Sequence, residues 1–75
     1  MSVSTPNFYT IRKQTIIAER NRKNLSQFKL AEMINVSNST IGLIERGIQT
    51  PSIFLVLDIA KVLNIDINVL LEGIE

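Results

Sequence analysis

The sequence has 75 residues, a net charge of +1 and neither cysteine nor histidine. A chain of this length supports one small domain, and the missing residue types exclude disulfides, the usual zinc sites and Ser-His or Cys-His catalysis. Hydrophobic residues make up 45% of the chain and aromatic residues only 5%, so we expect a core of aliphatic side chains and neither a metal nor a cofactor. The lack of cysteine favours a reducing compartment such as the cytoplasm.

Charge is distributed unevenly along the chain. Residues 1–50 contain seven Lys or Arg and three Glu, a net charge of +4, whereas residues 51–75 contain one Lys and four acidic residues, a net charge of −3. The first part suits a polyanionic partner and the second does not. No apolar run approaches the roughly 18 residues of a membrane span, and the polar residues 1–10 lack the basic start of a secretory signal.

The first predicted helix begins at Pro6, with Thr5 as its N-cap, because proline lacks an N–H that would have no helical partner at that position. Asn7 is an alternative start. Residues 1–5 are expected to form a flexible tail, and residues 6–75 a single domain.

Four further helices are predicted from capping residues and left-handed stops. Serine and aspartate cap helix starts by accepting backbone N–H bonds, and four of them precede apolar residues at helical spacing. These residues are Ser26, Ser37, Ser52 and Asp66. Asn35 and Gly47 tolerate the left-handed conformation that ends a helix. The fifth helix is expected to carry Leu70 and Leu71, and the predicted fold is all-α with five short helices.

The second and third predicted helices are separated by only about three residues, so they must cross at a steep angle. Ala31 supplies the small side chain that the crossing needs, and Asn35 supplies the positive φ of the turn. Three apolar residues fill the wedge between the helices: Val36, Ile41 and Ile44. This spacing predicts a helix-turn-helix motif; an ordinary helix corner without a ligand is the alternative.

Several segments carry a resemblance to a known family. They are Leu25-Ser26-Gln27, Leu30-Ala31-Glu32, Val36-Ser37, Ser39-Thr40-Ile41, Ile44-Glu45-Arg46-Gly47, Pro51-Ser52 and Ile59-Ala60-Lys61. The chain resembles the lambda-repressor/Cro-type helix-turn-helix family, also called the xenobiotic-response-element family, from about Ile11 to Leu71. The resemblance implies a five-helix, lambda-repressor-like DNA-binding domain that usually binds a palindromic operator as a homodimer. The sequence departs from the family pattern at Asn24, Asn35 and Asn64, often glycine there, at Glu19, often apolar, and at Phe28, usually polar.

The third helix should place its first turn in the major groove of DNA. The residues at the family's base-contacting positions there are predicted to read the bases. This base-reading set comprises Asn38, Ser39, Gly42 and Leu43. Gly42 would let the backbone and the base pairs come close. Alternatively, Asn38 and Ser39 stabilise only the start of the helix and do not contact DNA. The alternative for Leu43 is packing in the core. Since Asn can pair with adenine and Leu can contact a thymine methyl group, we expect an A/T-rich half-site.

Phosphate contacts are expected around this helix, because phosphates supply much of the affinity for DNA. The predicted phosphate-binding residues are Gln27, Lys29, Ser37, Thr40, Arg46 and Gly47. Gln27 and Arg46 match phosphate contacts of the family. For Lys29 and its neighbours Arg22 and Lys23, a solvated surface is an equally good interpretation.

Two further sets have structural roles. The resemblance implies an ion pair between Arg20 and Glu45 that orients the third helix. Four apolar residues stand where the family often has polar ones and are predicted to form a dimer interface: Phe54, Leu55, Val62 and Val69. A thicker core or a slightly apolar surface is the alternative for these four.

The leading interpretation is a sequence-specific, duplex-DNA-binding transcriptional regulator of the cytoplasm and nucleoid, with repression as its action. An antitoxin-like or regulator-binding protein-interaction module is the alternative, with the apolar C-terminal surface as its contact. No acid-base pair or metal-ligand cluster supports an enzyme. The low aromatic content argues against stacking on single strands and so favours duplex DNA.

Overall fold

The computed structural model describes residues 10–72. Its elements in chain order are strand β1 (Thr10–Ile11), helices α1 (Lys13–Arg22), α2 (Gln27–Met33), α3 (Thr40–Glu45), α4 (Ile53–Leu63) and α5 (Ile67–Leu70), and strand β2 (Leu71–Glu72). The five predicted helices are therefore all present. Within the described residues, no helix is long and apolar enough to cross a membrane.

Helix boundaries follow local side-chain chemistry at three of the predicted caps. Ser26 Oγ accepts a hydrogen bond from the Lys29 backbone N–H at 2.9 Å, and Ser52 Oγ accepts one from Leu55 at 3.2 Å. Asp66 Oδ1 accepts one from the Asn68 N–H at 2.8 Å. Each bond satisfies a donor that the first helical turn leaves without a partner.

A left-handed residue lies in each of the four connections between the helices. Asn24, Asn35 and Asn64 have φ values of 57°, 60° and 57°, and Gly47 has a φ of 78°. The expected left-handed stops at Asn35 and Gly47 are thus confirmed. Asparagine stands at positions where the resembling family often has glycine. It can adopt the left-handed conformation there because its short polar side chain tolerates it.

The N-terminal boundary of the first helix differs from the prediction. Helix α1 begins at Lys13 instead of Pro6, and residues 10–11 are extended. Strand β1 pairs antiparallel with β2, with Ile11 opposite Leu71, and the Arg12 N–H donates to the Leu70 carbonyl oxygen at 2.8 Å. This pairing takes up backbone groups that a longer helix would have used. The predicted tail (residues 1–5) and the predicted cap at Thr5 and Pro6 lie outside the described residues.

Two other boundaries also shift. The side chain of Ser37 does not cap α3, since its Oγ lies 2.9 Å from Thr40 Oγ1 and Ser39 occupies the N-cap position without a side-chain cap bond. A turn closed by the Thr40 N–H on the Ser37 carbonyl oxygen, at 3.0 Å, precedes the helix. Leu71, expected in the fifth helix, belongs to β2.

One aliphatic core holds all the helices together. Its fully buried members include Ile16, Leu30, Ile41, Ile44, Val56, Ile59, Leu63 and Leu70. Ala31 is also completely buried, in the α2–α3 crossing where a small residue was expected. The Val36 N–H donates to the Ala31 carbonyl oxygen at 3.0 Å and closes the turn between the two helices. This packing is the predicted helix-turn-helix, and it positions the start of α3 at the surface.

Candidate nucleic-acid interface

The predicted base-reading residues lie in two different environments. Asn38 and Ser39 are exposed, in the turn immediately before α3. Leu43, in the middle of α3, is half-buried, and its carbonyl oxygen accepts the Ile48 N–H at 2.9 Å. Gly42 is buried. The exposed polar part of the predicted set is therefore the Asn38–Ser39 turn, with Leu43 as its apolar neighbour.

The Cβ position of Gly42 lies beside the side chain of Gln27. A Cβ at this position would lie 3.1 Å from Oε1 of Gln27, closer than an ordinary van der Waals contact. The close approach that Gly42 permits is thus between α3 and the side chain of Gln27. The close approach to base pairs remains a prediction.

Glu45 is the centre of a polar cluster between three helices. It lies near the end of α3 with only 8% of its surface exposed. Arg20 of α1 donates to its carboxylate twice, from Nε to Oε2 at 2.7 Å and from Nη2 to Oε1 at 3.0 Å. Arg20 Nη1 also donates to the Leu25 carbonyl oxygen at 2.9 Å. The structure thus brings together the two residues of the expected ion pair, in the two-pronged geometry that arginine favours with carboxylates.

Gln27 joins the same cluster from the start of α2. Its Nε2 donates to Oε1 of Glu45 at 2.9 Å. The side chain that was expected to contact a phosphate is therefore bonded to α3. The sequence contained no signal for this contact, because Gln27 and Glu45 are 18 residues apart.

The basic residues separate into paired and unpaired groups. Lys29 forms an ion pair with Glu32 at 3.2 Å, and Arg22 forms one with Glu19. Arg46, which directly follows α3, is exposed and makes no ion pair within residues 10–72. Since α3 has six residues and a helix rises about 1.5 Å per residue, Arg46 lies roughly one major-groove width from the Asn38–Ser39 turn.

Lys13 is a cation near this region that sequence analysis did not include. Its Nζ lies 3.0 Å from the place that a Cβ on Gly47 would occupy, and it lines a shallow cleft with Gln49 and Thr50. No ion pair to Lys13 occurs among the described residues. Only the fold brings the start of α1 next to the turn after α3, so spacing along the chain could not indicate it.

The remaining predicted phosphate-binding residues lie at the two ends of α3. Ser37 is exposed and Thr40 is half-buried, with their hydroxyl groups in contact. Gly47 is exposed at the other end, and its left-handed conformation turns the chain toward residues 48–50.

The predicted dimer residues on the C-terminal helices are partly exposed. Phe54 is 75% exposed and Val69 is 46% exposed. Leu55 and Val62 are half-buried and pack against the core. Leu57 adds to the exposed apolar surface of α4, with 38% of its area accessible.

Comparisons with known proteins identify the family. A family model described as helix-turn-helix matches residues 16–70. The restriction-modification controller protein C.AhdI from Aeromonas hydrophila is 32% identical, with a TM-score of 0.71 over 75% of this chain and 85% of that chain. The chain belongs to the helix-turn-helix family.

SinR from Bacillus subtilis, a master regulator for biofilm formation, is a second similar protein. Its structure in complex with DNA is 33% identical, with a TM-score of 0.69 over 75% of this chain and 90% of that chain. A structure of SinR with SinI is also 33% identical, with a TM-score of 0.70 over 76% of this chain and 56% of that chain. The search of curated proteins found no match.

Family membership confirms the predicted resemblance, the five-helix lambda-repressor-like fold and the function of a DNA-binding transcriptional regulator. The short β1–β2 pairing is an addition to the predicted all-α fold. Within the described residues, no group of three or more Asp, Glu, His or Cys side chains could hold a metal ion.

Proposed function

We propose that this protein is a repressor that binds a palindromic operator as a homodimer, with the start of α3 in the major groove. The observation that carries the proposal is the exposed Asn38–Ser39 turn before a helix whose other end is followed by Arg46, which has no ion pair among the described residues. Side chains at the first turn of the second helix of such a motif contact base edges, and cations beside it contact phosphates.

Base reading in this proposal depends on Asn38, Ser39 and Leu43. Asn pairs with adenine and Leu contacts the thymine methyl group, so each half-site is A/T-rich at the positions that face these side chains. Selection from a random duplex pool tests this, with A/T-rich half-sites in inverted repeat as the expected product. Selected half-sites that are G/C-rich at these positions would contradict the assignment.

The variant Asn38→Ala tests the role of this side chain in reading sequence. We expect it to reduce discrimination at one base pair by about 1–3 kcal/mol, measured by fluorescence anisotropy with single-base operator variants. Gln14→Ala is the control, since Gln14 is an exposed amide on α1, outside the base-reading turn and the proposed dimer surface. An equal loss of affinity for operator and random duplexes in Asn38→Ala would argue against base reading.

Phosphate binding in this proposal depends on the unpaired cations Arg46 and Lys13, with Lys29, Gly47 and the hydroxyl residues around α3 beside them. Binding to duplex DNA should weaken linearly on a log–log plot against salt concentration, because counterions are released from the phosphates. Binding that does not change with salt would contradict the proposed interface.

The homodimer is proposed to use the exposed apolar surface of α4 and α5, with Phe54 and Val69 at its centre. A two-fold dimer would place the two reading helices about 34 Å apart, one turn of DNA. Three described acidic residues lie in this C-terminal part, which suits a surface that faces away from phosphate. They are Asp58, Asp66 and Glu72.

Sedimentation at tens of micromolar protein, without DNA, tests the dimer. Phe54→Glu should yield monomers by placing a charge in the apolar contact. Met33→Glu is the control, because Met33 is exposed on α2, outside the proposed contact. A wild-type protein that sediments as a monomer at these concentrations would contradict the dimer.

A protein-interaction module, of an antitoxin-like or regulator-binding kind, is the second candidate function. The complex of SinR with SinI supports it, together with the same exposed Phe54 and Val69. Co-purification of one defined partner at fixed stoichiometry, lost in Phe54→Glu but retained in Met33→Glu, would favour this candidate. The two functions are compatible if the partner controls DNA binding.

We propose that the protein acts by binding alone, without a catalytic step. Its site of action is the cytoplasm and nucleoid, where an operator is accessible. Fluorescence microscopy of a tagged protein should show it together with the DNA, and a peripheral pattern would contradict this location.

A further inference from the structure

The amide group of Gln27 is bonded to α3 at its Nε2 end, and its Oε1 end lies beside Gly42. A carboxylate only accepts hydrogen bonds, so the bond to Glu45 at 2.9 Å must come from the amide NH₂. This orientation turns Oε1 toward Gly42, where an added Cβ would approach it to 3.1 Å. The first residue of α2 is therefore hydrogen-bonded to α3 and leaves little room for a side chain at position 42.

The Glu45 carboxylate connects α1, α2 and α3. It receives two bonds from Arg20 of α1 and one from Gln27 of α2. Because Glu45 is almost fully buried, its oxygens depend on these protein donors for their hydrogen bonds. Loss of the Gln27 bond would leave Oε1 with Arg20 as its remaining partner among the described residues.

We infer that Gln27 is a positioning residue that sets the orientation of α3 on α2, and that Gly42 is its steric complement. A Cβ at position 42 requires the Gln27 amide to shift by a few tenths of an ångström, and this shift strains the bond to Glu45. The proposed base-reading turn precedes α3 directly, so a change in the orientation of α3 moves Asn38. The consequence for DNA rests on the proposed function, whereas the coupling between Gln27 and Gly42 does not.

A double-mutant cycle without DNA tests the coupling. We expect Gly42→Ala to lower the midpoint of thermal unfolding, since alanine must displace the amide. In the Gln27→Ala background the same change should raise the midpoint, because the obstacle is gone and alanine is the better helix former. The same downward shift in both backgrounds would overturn the inference, and so would a rise in both.

Binding measurements test positioning against direct phosphate contact. Gln27→Ala should reduce operator affinity about tenfold, the equivalent of one hydrogen bond to a charged group. Its affinity for random duplexes should stay within about twofold of wild type, because phosphate contacts by other residues remain. An equal loss on both kinds of DNA would assign Gln27 to phosphate and overturn the positioning role.

Two further variants extend the DNA-binding measurements. Gln27→Glu should lose more operator affinity than Gln27→Ala, because it places a second carboxylate against Glu45. Gln14→Ala is the matched control, since Gln14 is exposed on α1, away from this cluster. If the wild type binds no duplex DNA, the proposed function fails, and the unfolding cycle still decides whether Gln27 and Gly42 are coupled.

Discussion

The two halves of the molecule share one aliphatic core but differ in their buried polar contacts. In the helix-turn-helix half, a buried carboxylate joins three helices through hydrogen bonds to Arg20 and Gln27. In the C-terminal half, α4 and α5 contribute completely buried aliphatic residues, including Ile59, Leu63 and Leu70. No buried charged residue occurs in the described part of the C-terminal half.

The difference shows what each half must provide. Apolar burial is non-directional and roughly proportional to area, so it stabilises the fold without setting a precise angle. Hydrogen bonds depend on distance and angle, so the Glu45 cluster specifies how α3 lies on α1 and α2. The half that presents Asn38 to a partner is the half that contains this directional cluster.

The largest effect is expected where one partner of the buried ion pair is removed. Arg20→Ala should lower the free energy of unfolding by about 3–5 kcal/mol, since it leaves the Glu45 carboxylate buried without its main partner. Urea denaturation followed by circular dichroism measures this. The double replacement of Arg20 and Glu45 by apolar residues should be milder than either single change. A double variant at least as unstable as the sum of both single variants would show that the two side chains act independently.

A large effect is also expected in the aliphatic core of the C-terminal half. Leu63→Ala should lower the free energy of unfolding by about 2–5 kcal/mol, through lost burial and the resulting cavity. Leu57→Ala, on the same helix but 38% exposed, is the matched control and should cost much less. Similar losses in both variants would mean that α4 packs differently from the structure.

A smaller effect is expected at the helix caps. Ser52→Ala removes the hydroxyl that accepts the Leu55 N–H and should cost about 1 kcal/mol of stability. Ser39→Ala should leave stability nearly unchanged, because Ser39 makes no side-chain cap bond to α3. Thermal unfolding of both variants compares the two boundaries directly. Equal destabilisation would contradict the observed start of α3.

The smallest change in stability is expected at Arg46. Arg46→Ala should alter the free energy of unfolding by no more than about 0.5 kcal/mol, because the side chain is exposed and unpaired within the described residues. It should weaken binding to all duplexes alike and reduce the salt slope by about 1. Lys61→Ala removes an exposed charge from α4 and should leave the slope unchanged. A salt slope that stays at the wild-type value in Arg46→Ala would remove Arg46 from the phosphate contacts.

Much of the fold could be predicted because its determinants are local. The caps at Ser26, Ser52 and Asp66 and the left-handed turn at Asn35 depend on residues within a few positions. The start of α1 could not be predicted in the same way. Residues 10–11 pair with residues 71–72, and local propensity does not report a contact across that distance.

Only part of the candidate site could be predicted, because its other contacts also join residues that are distant along the chain. The exposed position of Asn38 and Ser39 follows from the motif spacing. The roles of Gln27 and Gly42 depend on how two helices meet, and Lys13 reaches Gly47 only because α1 packs beside the end of α3. Each of these contacts joins residues from different elements.

By itself, the sequence determined the family, the five helices, the aliphatic core and the uneven charge, because capping, hydrophobic periodicity and composition are properties of neighbouring residues. Only the tertiary structure decided which polar side chains bond to the protein and which remain free for a partner. Gln27 and Arg46 are both exposed polar residues beside α3, yet Gln27 is bonded to Glu45 and Arg46 makes no ion pair within residues 10–72. The physical reason is that a hydrogen bond between helices depends on their distance and angle in space, which packing of the whole core sets.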